Sequence, residues 1–204
     1  MAKATVKTYK VQAFDHVKGL DGISTLYAGY VKQVNTLNEM LAELRGHGKA
    51  SGKSPEFAEL TRRLGFEYNG MILHEYYFSN LKKAADPALA GRSPLGQALG
   101  EAFGSVDQWR ADYHAMGEMR GVGWVVLAED PVTSRLTNHW ITLHQDGFPA
   151  SFKPLLVMDV WEHAFMRDYK ATERVKYIEA FFRNVDWQTV ERRLMETAAI
   201  RPAA

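Results

Sequence analysis

A chain of 204 residues with 46% apolar and 12% aromatic residues can bury a substantial core, which excludes a disordered polymer. A formal net charge of +1 favours neither nucleic acid nor an acidic membrane surface as partner, and the lack of cysteine excludes disulfides, thiolate nucleophiles and sulfur-ligated metals. No apolar run reaches the length of a membrane span, and the first ten residues lack the apolar core of a signal peptide, so a soluble cytoplasmic protein is expected.

In chain order, residues 24–44 carry apolar side chains at Leu26, Tyr27, Tyr30, Val31, Val34, Leu37, Leu41 and Leu44. That spacing predicts an amphipathic helix with Ser24 as its N-cap and Gly46 and Gly48 at its end. A polar loop leads to Ser54-Pro55, where a second helix begins with proline in its first turn. It carries Phe57, Leu60, Leu64, Tyr68, Met71, Ile72 and the run Tyr76-Tyr77-Phe78. Two long helices on a short polar connection predict an antiparallel hairpin. Pro87, Gly91, Ser93 and Pro94 mark residues 84–95 as a linker, giving a helical-hairpin domain at 1–92 and an α+β domain at 93–204.

Two further helices are expected near 95–103 and 106–119, the second opened by Ser105 and Gln108 in capping-box spacing. Trp124–Leu127 and Leu136–Leu143 flank a turn at Glu129-Asp130-Pro131 and predict a β-hairpin, with a third strand at Leu155–Asp159. Helical patterns resume from Val175. Helices and strands are segregated, so the expected fold is α+β: an N-terminal antiparallel helical hairpin followed by an α/β domain with a three-stranded antiparallel sheet and flanking helices.

The third strand ends in a carboxylate, Asp159, and an imidazole follows four residues later at His163. A strand buried on both faces cannot carry a bare charge, so Asp159 requires a cation, strong hydrogen-bond donors or exposure. On these residues alone the pair reads either as an ion pair or as two ligands of a first-row metal such as iron or manganese. The full string Asp159-Val160-Trp161-Glu162-His163-Ala164 resembles the signature of the iron/manganese superoxide dismutase family, and the likeness extends along most of the chain.

The resemblance implies disproportionation of superoxide to dioxygen and hydrogen peroxide at a mononuclear manganese or iron centre. It implies His74, Asp159 and His163 as metal ligands, with Tyr30 over the substrate funnel and Gln145 bonding the metal-bound solvent. Gly70 stands where iron-type members carry that glutamine, so Gly70 and Gln145 together favour manganese. Trp124 and Trp161 match aromatics that wall the site. Glu162 matches the residue that reaches a ligand histidine of the partner subunit, which implies a homodimer.

The family's fourth ligand is a first-helix histidine seven or eight residues before a Tyr-Val pair. Tyr30-Val31 matches the pair, but Ile23 and Gly22 occupy those positions. A deletion between Ser24 and Thr25 would account for the loss, and His16 is the nearby histidine that could substitute. Leu26 and Met166 replace the family's His and Tyr relay. The alternative is therefore a catalytically impaired or silent member with a structural or interaction role. His47, His114, His139 and His144 read as surface or structural histidines.

Overall fold

A computed structural model describes residues 6–16, 21–83, 85–86 and 88–196; Pro87, named above as part of the linker, lies outside them. The described residues form two compact units, 6–13 with 21–75 and 14–16 with 76–196.

The first unit is built on α1 (Asp21–Gly46) and most of α2 (Pro55–Ser79). Tyr27 near the start of α1 donates its hydroxyl to Glu75 late in α2 at 2.8 Å. One turn further along α1, Tyr30 meets His74, Gly70 and Phe66, earlier on α2, so the two helices run antiparallel. Val31, Val34, Leu37 and Leu41 are buried at helical spacing. The segment before α1 is tied to it by Tyr9 N–H donating to Asn35 and Gln12 N–H donating to the Tyr27 hydroxyl.

α1 begins three residues before the expected cap at Ser24. Gly22, Ile23, Ser24 and Thr25 therefore already lie on the helix, in unbroken register with Tyr30. Gly22 and Ile23, eight and seven residues before Tyr30, are thus helical positions.

The second unit holds α3 (Pro94–Phe103), α4 (Val106–Gly117), β1 (Gly123–Glu129), β2 (Leu136–Thr142), β3 (Lys153–Asp159), α5 (Glu162–Phe165), α6 (Arg174–Arg183) and α7 (Trp187–Met195). The sheet order is β2-β1-β3, antiparallel throughout. The β1–β2 turn forms at Asp130, whose carboxylate accepts from Val132 N–H and the Thr133 hydroxyl. β1 and β3 are buried along most of their length, as strands covered on both faces should be. Tyr113 of α4 donates its hydroxyl to the Val125 carbonyl of β1 at 2.7 Å.

A polar hub ties the sheet to the end of α2. Asn80 donates to the Val157 carbonyl at 2.8 Å and accepts from Val157 N–H. Arg193 of α7 donates to Asn80, to the Leu155 and Tyr76 carbonyls and to the Ser79 hydroxyl. Burial pulls this guanidinium down to about 10, so it stays charged at neutral pH. Among the described residues, no helix is long and apolar enough to cross a membrane.

Candidate metal centre

In the first unit, His74 is fully buried on α2. Its Nδ1 lies 2.6 Å from the Gly70 carbonyl, which can only accept, so Nδ1 carries the proton and Nε2 carries the lone pair that a metal requires. The Tyr30 ring stacks on the imidazole, centroids 5.3 Å apart. Gly70 makes this possible: a Cβ there would lie 2.7 Å from Cδ1 and Cε1 of Tyr30. Gly70→Ala is accordingly expected to cost about 1–3 kcal/mol by forcing the ring aside. A chemical denaturation midpoint unchanged from the parent would show that the ring moves freely.

In the second unit, β3 delivers Asp159 fully buried at its C-terminal end. Trp161 N–H donates to Asp159 Oδ1 at 2.9 Å, and His163 Nε2 lies 3.1 Å from Oδ2. Chain reversal after β3 produces this: Val160 N–H bonds the Gly123 carbonyl, and Trp161 then starts α5, which turns His163 back onto the strand end. The Asp159 carbonyl accepts from Tyr177 at 2.6 Å, with the Tyr77 hydroxyl 3.2 Å from that phenol. Burial raises both phenols far above their ordinary range, so both remain protonated donors.

The β2–β3 connection corrects one expectation. Gln145 is exposed, and its Oε1 accepts from His144 N–H. The residue that turns inward is His144, fully buried, stacked on Trp161 at 4.9 Å and accepting at Nδ1 from Trp124 Nε1–H. With Nδ1 accepting, the neutral ring carries its proton on Nε2. The cause is Leu143, held at φ 54° in the left-handed region, a strained conformation for a leucine. Its N–H donates to the Val122 carbonyl and its carbonyl accepts from Trp161 Nε1–H. That twist breaks strand alternation and presents His144 where alternation from motif position would present its neighbour. Trp161 also stacks on His163, so His144, Trp161 and His163 form one aromatic stack.

His16 is exposed, its Nε2 3.0 Å from the Phe78 carbonyl. His47 is exposed, His114 pairs with Glu118 at 2.8 Å, and His139 meets the Thr137 hydroxyl.

Residues 91–193 match the family model for the C-terminal domain of iron/manganese superoxide dismutases. A superoxide dismutase [Fe] of Cupriavidus metallidurans is 36% identical over 86% of this chain and 84% of its own. The chain belongs to the iron/manganese superoxide dismutase family. A superoxide dismutase [Fe] of Aquifex aeolicus is 32% identical over 91% of both chains. A superoxide dismutase [Mn] of Mycolicibacterium paratuberculosis is 34% identical over 82% of this chain and 78% of its own. Relatives named for either metal thus match at similar identity, and the two-helix start followed by a three-stranded antiparallel sheet agrees with the expected superoxide dismutase fold.

Leu26 and Met166 are 42% and 52% exposed apolar side chains. Among the described residues of α1, none before Tyr30 is a histidine; Gly22 and Ile23 stand eight and seven residues ahead of it.

Proposed function

We propose that this protein disproportionates superoxide at a mononuclear manganese or iron ion held by His74, Asp159 and His163. The observation that carries the reading is the Asp159 carboxylate, fully buried yet set 3.1 Å from an imidazole inside the family signature string. Burying an ionised carboxylate costs several kcal/mol unless a cation or strong donors compensate it. Two neutral imidazoles and one carboxylate form a nitrogen–oxygen donor set that suits either metal. When bound, the metal supplies the one-electron chemistry that oxidises one superoxide and reduces the next.

The chain's own residues do the rest. The Gly70 carbonyl fixes the His74 tautomer. Trp161 and Tyr177 fix the Asp159 carboxylate and its backbone. Tyr30 borders His74, and His144 takes the inward hydrogen-bonding role expected of Gln145, its Nε2–H serving as donor. Gly70 leans towards manganese. Glu162 and Met166, both exposed beside His163, fit the face of a homodimer, which we place in the cytoplasm. The division into domains at 1–92 and 93–204 belongs to the same proposal.

Superoxide consumption by manganese- and iron-loaded protein tests the reading. A rate proportional to bound metal supports it, and a loaded protein no faster than buffer leaves the impaired or silent member, which Gly22, Ile23, Leu26 and Met166 favour. Gly22→His and Ile23→His, made separately, should locate the missing donor. One of them is expected to strengthen metal retention more than tenfold, the scale on which a single coordinating or supporting group acts. Equal metal retention in both variants and the parent would mean that three protein ligands already saturate the site.

A further inference from the structure

The two halves of the β2–β3 connection, residues 143–152, are fastened in different ways. Backbone hydrogen bonds hold the first half: Leu143 N–H donates to the Val122 carbonyl, and Thr142 and Asp146 exchange N–H donors at 2.7 and 3.3 Å. The second half makes one backbone hydrogen bond, from Phe152 N–H to the Pro149 carbonyl, and that bond lies within the segment itself. Gly147 turns the chain at φ 108°, where a Cβ would lie 2.5 Å from the Trp140 carbonyl, and Ser151 is left-handed at φ 70°. Side-chain contact therefore keeps residues 148–152 on the sheet.

That contact is made to His139 of β2. Its imidazole meets the Phe152 ring at 5.2 Å and the Phe148 ring at 5.7 Å, both nearly perpendicular. All three side chains are half-buried. The Thr137 hydroxyl lies 2.7 Å from His139 Nε2. A hydroxyl donates to a neutral ring or accepts from a charged one, so this bond does not select a protonation state.

The surroundings do. Val126 of β1 faces His139 across the ladder. Of the charged groups on the neighbouring strands, Glu129 and Lys153 pair with each other, and Asp159 bonds Trp161 and His163. Arg135 and Asp146 are exposed, and Asp112 of α4 is bound to Asn138, on the opposite face of β2. No carboxylate among the described residues pairs with the imidazole. A proton on His139 would place an unbalanced charge between two phenyl rings, and burial holds this imidazole below its ordinary range.

We infer that His139 is a pH-sensitive clip, which holds Phe148 and Phe152 on β2 when neutral and releases residues 147–152 when protonated. The hold is complete above the ordinary imidazole range and is lost as the pH falls through the lowered value. No proposed metal ligand takes part, so the clip stands or falls independently of the dismutase reading.

Chymotryptic cleavage after Phe152 in the full-length protein, located by mass spectrometry, reports the released population. His139→Phe keeps an aromatic ring in the slot without a titrating group, and His139→Gln is a second neutral variant. The parent-to-variant ratio of cleavage rates at each pH cancels the protease's own pH dependence. Between about pH 7.5 and pH 5.5 that ratio is expected to rise roughly threefold or more. Phe148→Ala, which removes one of the two rings, should be cleaved faster than the parent at the upper pH. Circular dichroism confirms that each variant is folded. A ratio that stays constant with pH against both neutral variants would overturn the proposal, as would parental cleavage of Phe148→Ala at the upper pH.

Discussion

In the Asp159→Ala variant, bound manganese or iron is expected to fall more than 100-fold below the parent and superoxide consumption to fall to the buffer rate. Loss of a supporting group around a metal ligand already costs 10–100-fold in affinity, and Asp159 is the proposed anionic ligand itself. In the proposed ligand set its carboxylate is the one anionic donor, beside two imidazoles, and so contributes most of the attraction for a cation. Elemental analysis after dialysis against chelator reads the effect directly. Folding should survive, because alanine removes a buried charge and leaves no opposite charge behind. A variant that keeps its metal would show that Asp159 is an ion-pair partner of His163 and nothing more.

Arg193→Met is expected to destabilise the fold by about 1–3 kcal/mol, the cost of leaving a buried polar group without its partner. Methionine fills much of the volume but removes the Arg193 donor from the Leu155 and Tyr76 carbonyls, the Asn80 amide oxygen and the Ser79 hydroxyl, while Asn80 N–H still reaches the Tyr76 carbonyl and Val157 N–H still reaches the Asn80 amide oxygen. For a chain of this size that corresponds to a fall in Tm of roughly 5 °C. The neighbouring exposed Arg192→Met provides the control and should change stability by no more than about 0.5 kcal/mol. Equal melting curves for the two variants would show that the hub is redundant.

The contrast between Asp159 and Gln145 shows what a single sequence makes legible. Asp159 is conspicuous because an ionised carboxylate at the end of an apolar strand is physically costly, and that cost can be read without coordinates. The inward residue of the β2–β3 connection carries no such signal. His144 and Gln145 are adjacent and both polar, and only the left-handed backbone of Leu143 decides which one turns in. Leucine gives no hint of that conformation, as glycine or asparagine would. The Trp124 and Trp161 rings that receive His144 were visible as aromatics, but their pairing with it depends on long-range packing.

Helix content was legible for a simpler reason. Apolar spacing over 24–44 and the Ser54-Pro55 start locate both long helices to within a few residues, and strands of β-branched and apolar residues locate the sheet. The start of α1 was misplaced because Ser24 looks like a cap while the helix extends back to Asp21. That small difference matters chemically. It puts Gly22 and Ile23 on the helix, the positions that the Gly22→His and Ile23→His variants probe. Arg193 falls within a helical pattern, and nothing local distinguishes a guanidinium that will be buried against the end of α2 and β3 from one that faces solvent.

An anomalous difference map, collected at the manganese and iron edges on crystals of the freshly purified protein, tests most directly whether His74, Asp159 and His163 hold the metal. The expected result is a single peak bonded by His74 Nε2, a carboxylate oxygen of Asp159 and His163 Nε2. A peak bonded by other residues, or no peak at those three atoms in manganese- or iron-loaded protein, would contradict it.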